Sequence, residues 1–309
     1  MRNYIIRRLL YLIPTILSVA LLVFLLFTVV GDDPVRVALG KYATPETIAD
    51  LQAKWGLDQP LWKQFLDFLR QIVTFDYGES FVTGDTLSES FSQGAWVSLS
   101  LTLPPLILGL LINVPLAMGV AYYRDTWFDR SATALAVMAM SVSYLVYILA
   151  FQYFLAFKFD WFPINGYEAS EPIRYLALPW LIAIIVAIGP DIRIYRTIFL
   201  NEIQANYVRT ARAKGLSEKR VLFVHLLKNA MIPILTFTIV AVPFLILGAF
   251  VMERFFSIPG LGNLLITAIN NGDQPVLKGL TMYITIAYSL FNLLTDVLIA
   301  YVDPRVKLR

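Results

Sequence analysis

Residues 9–30 of the chain read LLYLIPTILSVALLVFLLFTVV, a run of 22 residues without a charged side chain. An α-helix rises 1.5 Å per residue, so about 20 apolar residues cross the hydrocarbon core of a bilayer. Arg7 and Arg8 precede the run, as in a secretory signal, but the run is longer than a signal core and no small-residue cleavage site follows it. It therefore predicts a membrane-spanning helix that is not cleaved.

Five further apolar runs follow, and the segments between them are too polar to cross a membrane. They cover residues 97–122, 133–157, 176–198, 231–252 and 279–302. Prolines lie inside or at the ends of several runs, where lipid tolerates them if neighbouring helices or water satisfy the freed carbonyl groups. The pattern predicts an all-α bundle of six transmembrane helices, in which the prolines indicate either a cavity or simple kinks.

The composition agrees with a membrane protein and excludes several other classes. Of the 309 residues, 58% are hydrophobic and 15% are charged, whereas soluble domains have about 45–50% and 25%. The mean hydropathy is +0.67. The high hydrophobic content excludes disorder. The net charge of only +3 excludes a protein that binds nucleic acid through a basic surface. With no cysteine and one histidine, the sequence also excludes disulfides, Cys-ligated metals and Ser-His or Cys-His catalysis.

The distribution of Lys and Arg predicts the orientation in the membrane. Of the 25 such residues, 16 fall on the side that holds both termini and the segment 199–230. Cytoplasmic loops carry an excess of these cations, so both termini are predicted to be cytoplasmic. The predicted organisation is a first span over 1–30, an external segment over 31–96, and a five-helix transmembrane core over 97–309 that includes the segment 199–230.

The external segment contains two helix-like patterns, one over 44–55 and one over 61–74. The second places apolar side chains on one stripe, namely Leu61, Phe65, Phe68 and Leu69. Three interpretations of this pair remain open. It caps the mouth of a pathway, it docks a soluble partner, or it lies on the membrane surface without a function of its own.

The cytoplasmic segment holds a more specific pattern, since residues 206–220 read NYVRTARAKGLSEKR. Good helix formers predict a helix over 207–214. Gly215 would end it in the left-handed conformation, where glycine has no steric cost. Ser217 would start a second helix that is too polar to span.

The small side chains of Ala211 and Ala213 would let another backbone approach this first helix closely. Arg209, Arg212 and Lys214 would supply charge to hold such a partner. A solvated basic loop that follows the positive-inside distribution accounts for the same composition.

Chemistry-bearing residues are sparse. No Gly-x-x-x-x-Gly-Lys-Ser/Thr occurs, so the chain has no P-loop and any ATP hydrolysis must occur on other chains. His225 has no metal-binding context and is interpreted as a helix-surface residue. Asp191 and Asp296 lie in or beside apolar runs, where an ionised carboxylate costs about 2.5–3.5 kcal/mol. Ion pairing, for example of Asp191 with the nearby Arg193, or exposure at the membrane interface would explain both residues, and a proton relay is the alternative interpretation.

Short motifs spread over nearly the whole chain, in a fixed order, resemble those of one family. They are Arg7-Arg8-Leu9, Gly56-Leu57-Asp58-Gln59-Pro60-Leu61, Asp76-Tyr77-Gly78, Trp161-Phe162-Pro163-Ile164-Asn165-Gly166, the segment 207–217, Glu253 with Phe256 and Pro259-Gly260-Leu261-Gly262, Asn292-Leu293-Leu294-Thr295-Asp296, and Asp303-Pro304-Arg305. The set resembles the permease subunits of ATP-binding-cassette (ABC) importers, and in particular the dipeptide, oligopeptide and nickel permease family. The segment 207–217 resembles the coupling loop, or EAA loop, of that family.

The resemblance implies a type I ABC importer permease bundle with a cytoplasmic coupling helix, in the bacterial inner membrane. Implied partners are a second, homologous permease subunit in a heterodimer, two cytoplasmic ABC ATPases, an external substrate-binding protein and lipid. No cofactor and no catalytic residue are expected in this chain. The implied cargo is a di- or oligopeptide, with nickel, glutathione or an oligosaccharide as alternatives. The residues expected to contact the ATPase are Tyr207, Arg209, Thr210, Ala211, Arg212, Ala213, Lys214, Gly215 and Leu216.

Some positions depart from the family pattern, and two other classes of protein remain as alternatives. Arg209 and Lys228 differ from the general importer loop as the peptide-type branch does, whereas Asp33 and Ser143 replace or interrupt familiar motifs. A secondary transporter would need intramembrane ion-binding groups and usually inverted repeats, and neither is evident. An intramembrane protease would need a base at membrane depth, but His225 lies in the cytoplasmic segment.

Overall fold

The structure is a computed structural model that describes residues 2–30, 34–39, 44–247 and 249–302. Within these ranges all regular elements are helical, apart from one isolated bridge between Glu79 and Thr86, which confirms the all-α prediction. The motif residues 31–33 and 303–305 lie outside the described ranges. The α-helices are α1 (Arg2–Leu25), α2 (Pro34–Leu39), α3 (Pro45–Lys54), α4 (Leu61–Thr74), α5 (Leu87–Tyr122), α6 (Trp127–Ser141), α7 (Tyr144–Phe151), α8 (Pro172–Ile203), α9 (Asn206–Ala213), α10 (Glu218–Arg220), α11 (Leu227–Ile239), α12 (Phe250–Phe255), α13 (Leu261–Asn271) and α14 (Gln274–Val302).

Six segments can cross a membrane when one bent pair of helices is counted as a single segment. Five are single helices of sufficient length and hydropathy, at Ile6–Val30, Leu87–Tyr122, Pro172–Ile203, Glu218–Ile239 and Gln274–Val302. The sixth combines Trp127–Ser141 with Tyr144–Lys158, which meet at an angle of 92°. This agrees with the six predicted runs, but two of them differ in detail.

The third predicted run is not one straight helix. Val142 and Ser143 both have extended backbone angles, with ψ of 131° and 141°, and they separate α6 from α7. The break frees carbonyl groups at the end of α6, and the Tyr147 hydroxyl donates a hydrogen bond of 3.0 Å to the Ala139 carbonyl. A bend at membrane depth is thus partly satisfied by a side chain of the following helix.

The fifth span begins and ends earlier than predicted. α10 continues through a π-helical turn (Val221–Leu226) into α11, so the span runs from Glu218 to Ile239. The helix that was predicted to start at Ser217 and to be too polar to span is therefore the first turn of this span. Pro243, in a 3₁₀ turn (Val242–Leu245), has no N–H to offer the Ile239 carbonyl. The Thr295 hydroxyl approaches that carbonyl instead, at 3.3 Å.

The external segment is built into the fold. α3 starts at a Thr44 capping box with Pro45 in its first turn, and α4 follows as predicted. Phe68 of α4 is buried, and its ring lies 6.3 Å from that of Phe24 in α1. Leu61 was predicted on the same apolar stripe, but its side chain is 53% exposed at the start of α4.

The buried side chains form three clusters. One joins α1, α4, α5, α13 and α14 towards the external end, and a second joins α5, α7, α8 and α12. The third joins the C-terminal ends of α5 and α8 to α9, to the π-helical turn and to α11. This third cluster, here called the inner cluster, positions the segment 199–230. Its buried members are Val114, Ala117, Met118, Ala121, Tyr195, Phe199, Val208, Ala211, Val221, Leu226, Ala230 and Ile234.

Candidate coupling surface on the short cytoplasmic helix

The short helix α9 is fixed at its start by a side-chain hydrogen bond. The chain leaves α8 through Ala205, whose backbone is extended (φ −67°, ψ 149°). One turn later the Tyr207 hydroxyl donates a hydrogen bond of 2.6 Å to the Glu202 carboxylate near the end of α8. Burial, and next the bond to Glu202, raise the pKa of Tyr207 above its usual value. Tyr207 therefore stays a neutral donor that holds α9 against α8.

Gly215 ends the helix as predicted. Its φ is +74°, in the left-handed region, and its N–H donates a hydrogen bond of 2.9 Å to the Arg212 carbonyl. No atom lies within 4 Å of the position that a Cβ at Gly215 would take. The requirement for glycine at this position is therefore conformational, since the surrounding space is open.

The buried face of α9 packs on its own chain. Val208 is fully buried and Ala211 is only 5% exposed, and both belong to the inner cluster. We expected Ala211 at a surface that another backbone approaches, but the structure places it within the inner cluster of its own chain. The expectation was wrong for this residue, because helical spacing puts Ala211 on the same face as Val208. Its small size is required by packing within the chain.

The opposite face of α9 is exposed and cationic. We call it the coupling surface and define it by its exposed residues, which are Arg209, Thr210, Arg212, Ala213, Lys214 and Gly215. Arg212 makes a two-point ion pair with Glu218, at 2.9 and 3.2 Å. The two other predicted members of the site, Tyr207 and Leu216, are half-buried beneath this surface. The structure therefore brings the predicted residues together but divides them between an outer surface and its support.

An ion pair near this end of the bundle ties α6 to α8. Arg196 donates two hydrogen bonds of 2.6 Å to the Asp129 carboxylate, and Asp129 is 3% exposed. The same carboxylate accepts the Asp125 backbone N–H at 2.9 Å. Arg196 lies one residue from Tyr195 of the inner cluster. From the sequence, Arg196 counted only towards the positive-inside distribution, and no local pattern indicates its pairing with Asp129.

The two intramembrane carboxylates have different partners. Asp296 pairs with Arg8 at 3.0 Å and accepts the Tyr4 hydroxyl at 2.8 Å, so the prediction of pairing is confirmed there. Pairing of Asp191 with Arg193 was one interpretation of the sequence, but the two side chains do not pair. Asp191 accepts a hydrogen bond of 2.7 Å from the Asn113 amide. Within the described ranges, no group of His, Asp and Glu side chains could hold a metal ion.

A buried carboxylate organises the motif around Pro259–Gly262. Glu253 is fully buried, and it accepts hydrogen bonds from the Ser98 hydroxyl at 2.8 Å and the Asn263 N–H at 2.9 Å. Because Asn263 lies in the first turn of α13, the carboxylate binds the positive end of that helix dipole. A Cβ on Gly262 would lie 2.9 Å from the Glu253 carboxylate and closer still to the Phe250 ring. The glycine is required for this close approach.

Replacing Gly262 by alanine should therefore destabilise the subunit by about 1–3 kcal/mol, the usual cost of overpacking. Gly119→Ala is the matched control, because no atom lies within 4 Å of the Cβ position there. The measurement is the fraction of monodisperse protein left after heating in detergent. Equal loss from the two variants would show that the Glu253 cradle is not closely packed.

Comparison with known proteins gives matches along the whole chain. The family described as "Binding-protein-dependent transport system inner membrane component" matches residues 113–308, and the N-terminal part of such membrane components matches residues 1–103. A putative peptide transport system permease protein of Brucella abortus (strain 2308) is 37% identical over 315 residues, covering 99% of each chain. The glutathione transport system permease protein GsiC of Salmonella choleraesuis (strain SC-B67) is 34% identical, again over 99% of each chain.

A solved structure shares the fold at low sequence identity. It is described as inward-facing conformations of the MetNI methionine ABC transporter, and the match has a TM-score of 0.57 at 16% identity. It covers 69% of this chain and 96% of that chain. This likeness supports a permease-type arrangement of the helices.

Proposed function

The chain belongs to the family of binding-protein-dependent transport system inner membrane components, and on that premise we propose that it carries peptides across the inner membrane. It is a multi-pass permease subunit of an ABC importer and not itself an enzyme. Relatives that match its whole length are named for transport of peptides and of glutathione, itself a tripeptide. We infer a short peptide as the cargo, delivered by an external binding protein.

The full transporter that we propose contains this chain, a second and different permease subunit, and two cytoplasmic ATPases. The membrane-spanning segments contact lipid, and both termini lie in the cytoplasm. The absence of a P-loop from the sequence supports the assignment of ATP hydrolysis to the partner chains.

We further propose that the coupling surface docks into a cleft of one ATPase. The observation that carries this proposal is the two-sided character of α9. One side is anchored in the inner cluster through Val208 and Ala211, and the other presents unshielded cations to the cytoplasm. Arg209 and Lys214 make no ion pair with any residue that the structure describes. They are free to meet carboxylates of a partner.

The anchoring of α9 gives a mechanical route from the ATPases to the bundle. When the ATPases close on ATP, a docked α9 moves with them. Tyr207 ties α9 to α8, and the Asp129–Arg196 pair ties α8 to α6, so these helices follow as one body. ATP thus biases the bundle between inward-facing and outward-facing arrangements although it binds only to other chains.

The experiment for this function is uptake into proteoliposomes. The chain is reconstituted with the permease and ATPases encoded next to it, and uptake of a labelled tripeptide is measured with loaded binding protein outside and ATP inside. Uptake should require both the binding protein and ATP. Uptake that persists without the ATPases and follows an ion gradient would instead identify a secondary transporter.

The topology can be tested with single cysteines, because the natural chain has none. Asp58 and Ser217 are both exposed, and they lie in the external segment and in the cytoplasmic segment respectively. In intact spheroplasts, a membrane-impermeant maleimide should label Asp58→Cys and spare Ser217→Cys. After permeabilisation it should label both. Equal labelling in intact spheroplasts would contradict the predicted orientation.

A further inference from the structure

Asp191 borders a cavity inside the transmembrane bundle. It lies in α8, 12 residues before the helix ends at Ile203, which is about 18 Å along the helix axis at 1.5 Å per residue. The cavity has a volume of about 320 Å³ and lies between α5, α8, α11 and the 3₁₀ turn. Its lining includes Pro105, Gly109, Asp191, Tyr195, Phe237, Thr238 and Phe244.

The hydrogen bonds around Asp191 leave acceptors without donors. Its carboxylate accepts the Asn113 amide at 2.7 Å and interacts with the Tyr195 hydroxyl, whereas a carboxylate has about four acceptor positions. Asn113 is fully buried, and its carbonyl oxygen has no hydrogen-bond partner. The Asp191 carboxylate and the Asn113 carbonyl oxygen both lack hydrogen-bond donors, so a group that completes this site must be a donor. A primary ammonium group carries three N–H donors and a positive charge.

The other intramembrane carboxylate shows that the chain can neutralise such a group when it is structural. Asp296 has Arg8 at 3.0 Å. Asp191 has no ion pair with any residue in the described ranges. An ionisable side chain at this depth without a charged partner indicates a functional site.

The cavity opens at the surface of this chain. Phe237, Val240 and Phe244 border it, and they are 46%, 54% and 54% exposed. On the other side of Phe244 lies a second cavity of about 560 Å³, with polar side chains of α14 that include Tyr288, Ser289 and Asn292. The two cavities together give this face of the bundle a partly polar surface at membrane depth.

We propose that Asp191 binds the ammonium group of the cargo as it crosses the membrane, so that the permease itself favours solutes with a free primary amine. This inference rests on the proposed peptide transport and assigns one site within it. Asn113 and Tyr195 position the carboxylate, and Phe244 separates this site from the polar surface of α14.

The test compares two cargoes in the reconstituted transporter. One is a tripeptide with a free N-terminal amine and the other is the same peptide with that amine replaced by hydrogen. Each is supplied on saturating, preloaded binding protein, so that affinity for the binding protein does not enter the rate. We expect the wild-type protein to move the free-amine peptide about ten times faster per ATP hydrolysed than the des-amino peptide. Asp191→Asn should abolish this difference, so that both peptides move at the same rate.

The matched control is Asp296→Asn, which makes the same change at the carboxylate that already has an ion pair, and it should alter both rates by the same factor. If Asp191→Asn slows both peptides equally, or slows neither, Asp191 does not bind the ammonium group of the cargo. A water molecule bound to Asp191, or a proton on it, would give such a result, because neither distinguishes the two peptides. If the wild-type protein moves neither peptide, the proposed peptide transport fails as well. Transport of both peptides with no role for Asp191 rejects this inference alone.

Discussion

Replacing Ala213 by tryptophan should abolish ATP-driven transport while the subunit remains folded. Ala213 is exposed at the centre of the coupling surface, between Arg212 and Lys214. Because Ala213 is exposed, the indole would project from α9 into the space that the proposed ATPase cleft occupies. We expect transport to fall at least about tenfold, as for other losses of a central contact at an interface. The ATPases should no longer co-purify with the permease.

The comparison with Ala211 makes this result specific. Ala211→Trp introduces the same side chain two positions earlier on α9, but Ala211 is 5% exposed and packs in the inner cluster. That variant should lose thermal stability and yield of the subunit itself, because a closely packed site cannot accept an indole. Ala213→Trp should retain both. If Ala213→Trp transports normally with its ATPases still bound, the coupling surface of α9 does not dock into the ATPase.

Charge contributes less than shape to this expected contact. Arg209→Glu should weaken ATPase association, and the effect should shrink at high salt because the side chain is exposed.

The parts of the fold that follow from local pattern were predictable. The first span, the external helices α3 and α4, and the left-handed Gly215 after α9 are each specified by residues within one or two turns of one another. Hydrophobic run length, capping residues and glycine conformation act over that range. For the same reason each motif that carried the family resemblance is a short continuous stretch, such as 207–217.

The features that depend on contacts between distant segments were not predictable. No local pattern shows that Ala211 packs in one cluster with residues of α5 and α8. The Asp129–Arg196 pair joins residues 67 positions apart, and Ser98 reaches Glu253 across 155. The bend after Ser141 was not predicted, because in the sequence Val142 and Ser143 look like ordinary members of an apolar run. In the structure both residues are extended and interrupt the third span.

Removing the charge of Asp129 should detach the cytoplasmic end of α6 from α8. Breaking a buried ion pair costs about 3–5 kcal/mol, because the remaining charge is left without a partner. The Asp129 side chain is 5% exposed and that of Arg196 is 23% exposed, so we expect the lower part of this range. Asp129→Asn is the informative change, since an amide oxygen can still accept the Asp125 N–H. The measurement is the temperature at which half of the purified subunit aggregates in detergent.

A double-mutant cycle separates the pair from the packing around it. Arg196→Leu should destabilise the subunit about as much as Asp129→Asn, because it leaves the Asp129 carboxylate buried and unpaired. The double variant Asp129→Asn with Arg196→Leu should be more stable than Arg196→Leu alone, since no isolated charge remains. Glu171→Gln removes one partner of the exposed pair Arg174–Glu171, whose side chains are 65% and 56% exposed, and should have little effect. Independent, additive losses at Asp129 and Arg196 would mean that each residue acts through other contacts, and α6 and α8 could then move separately when α9 is displaced.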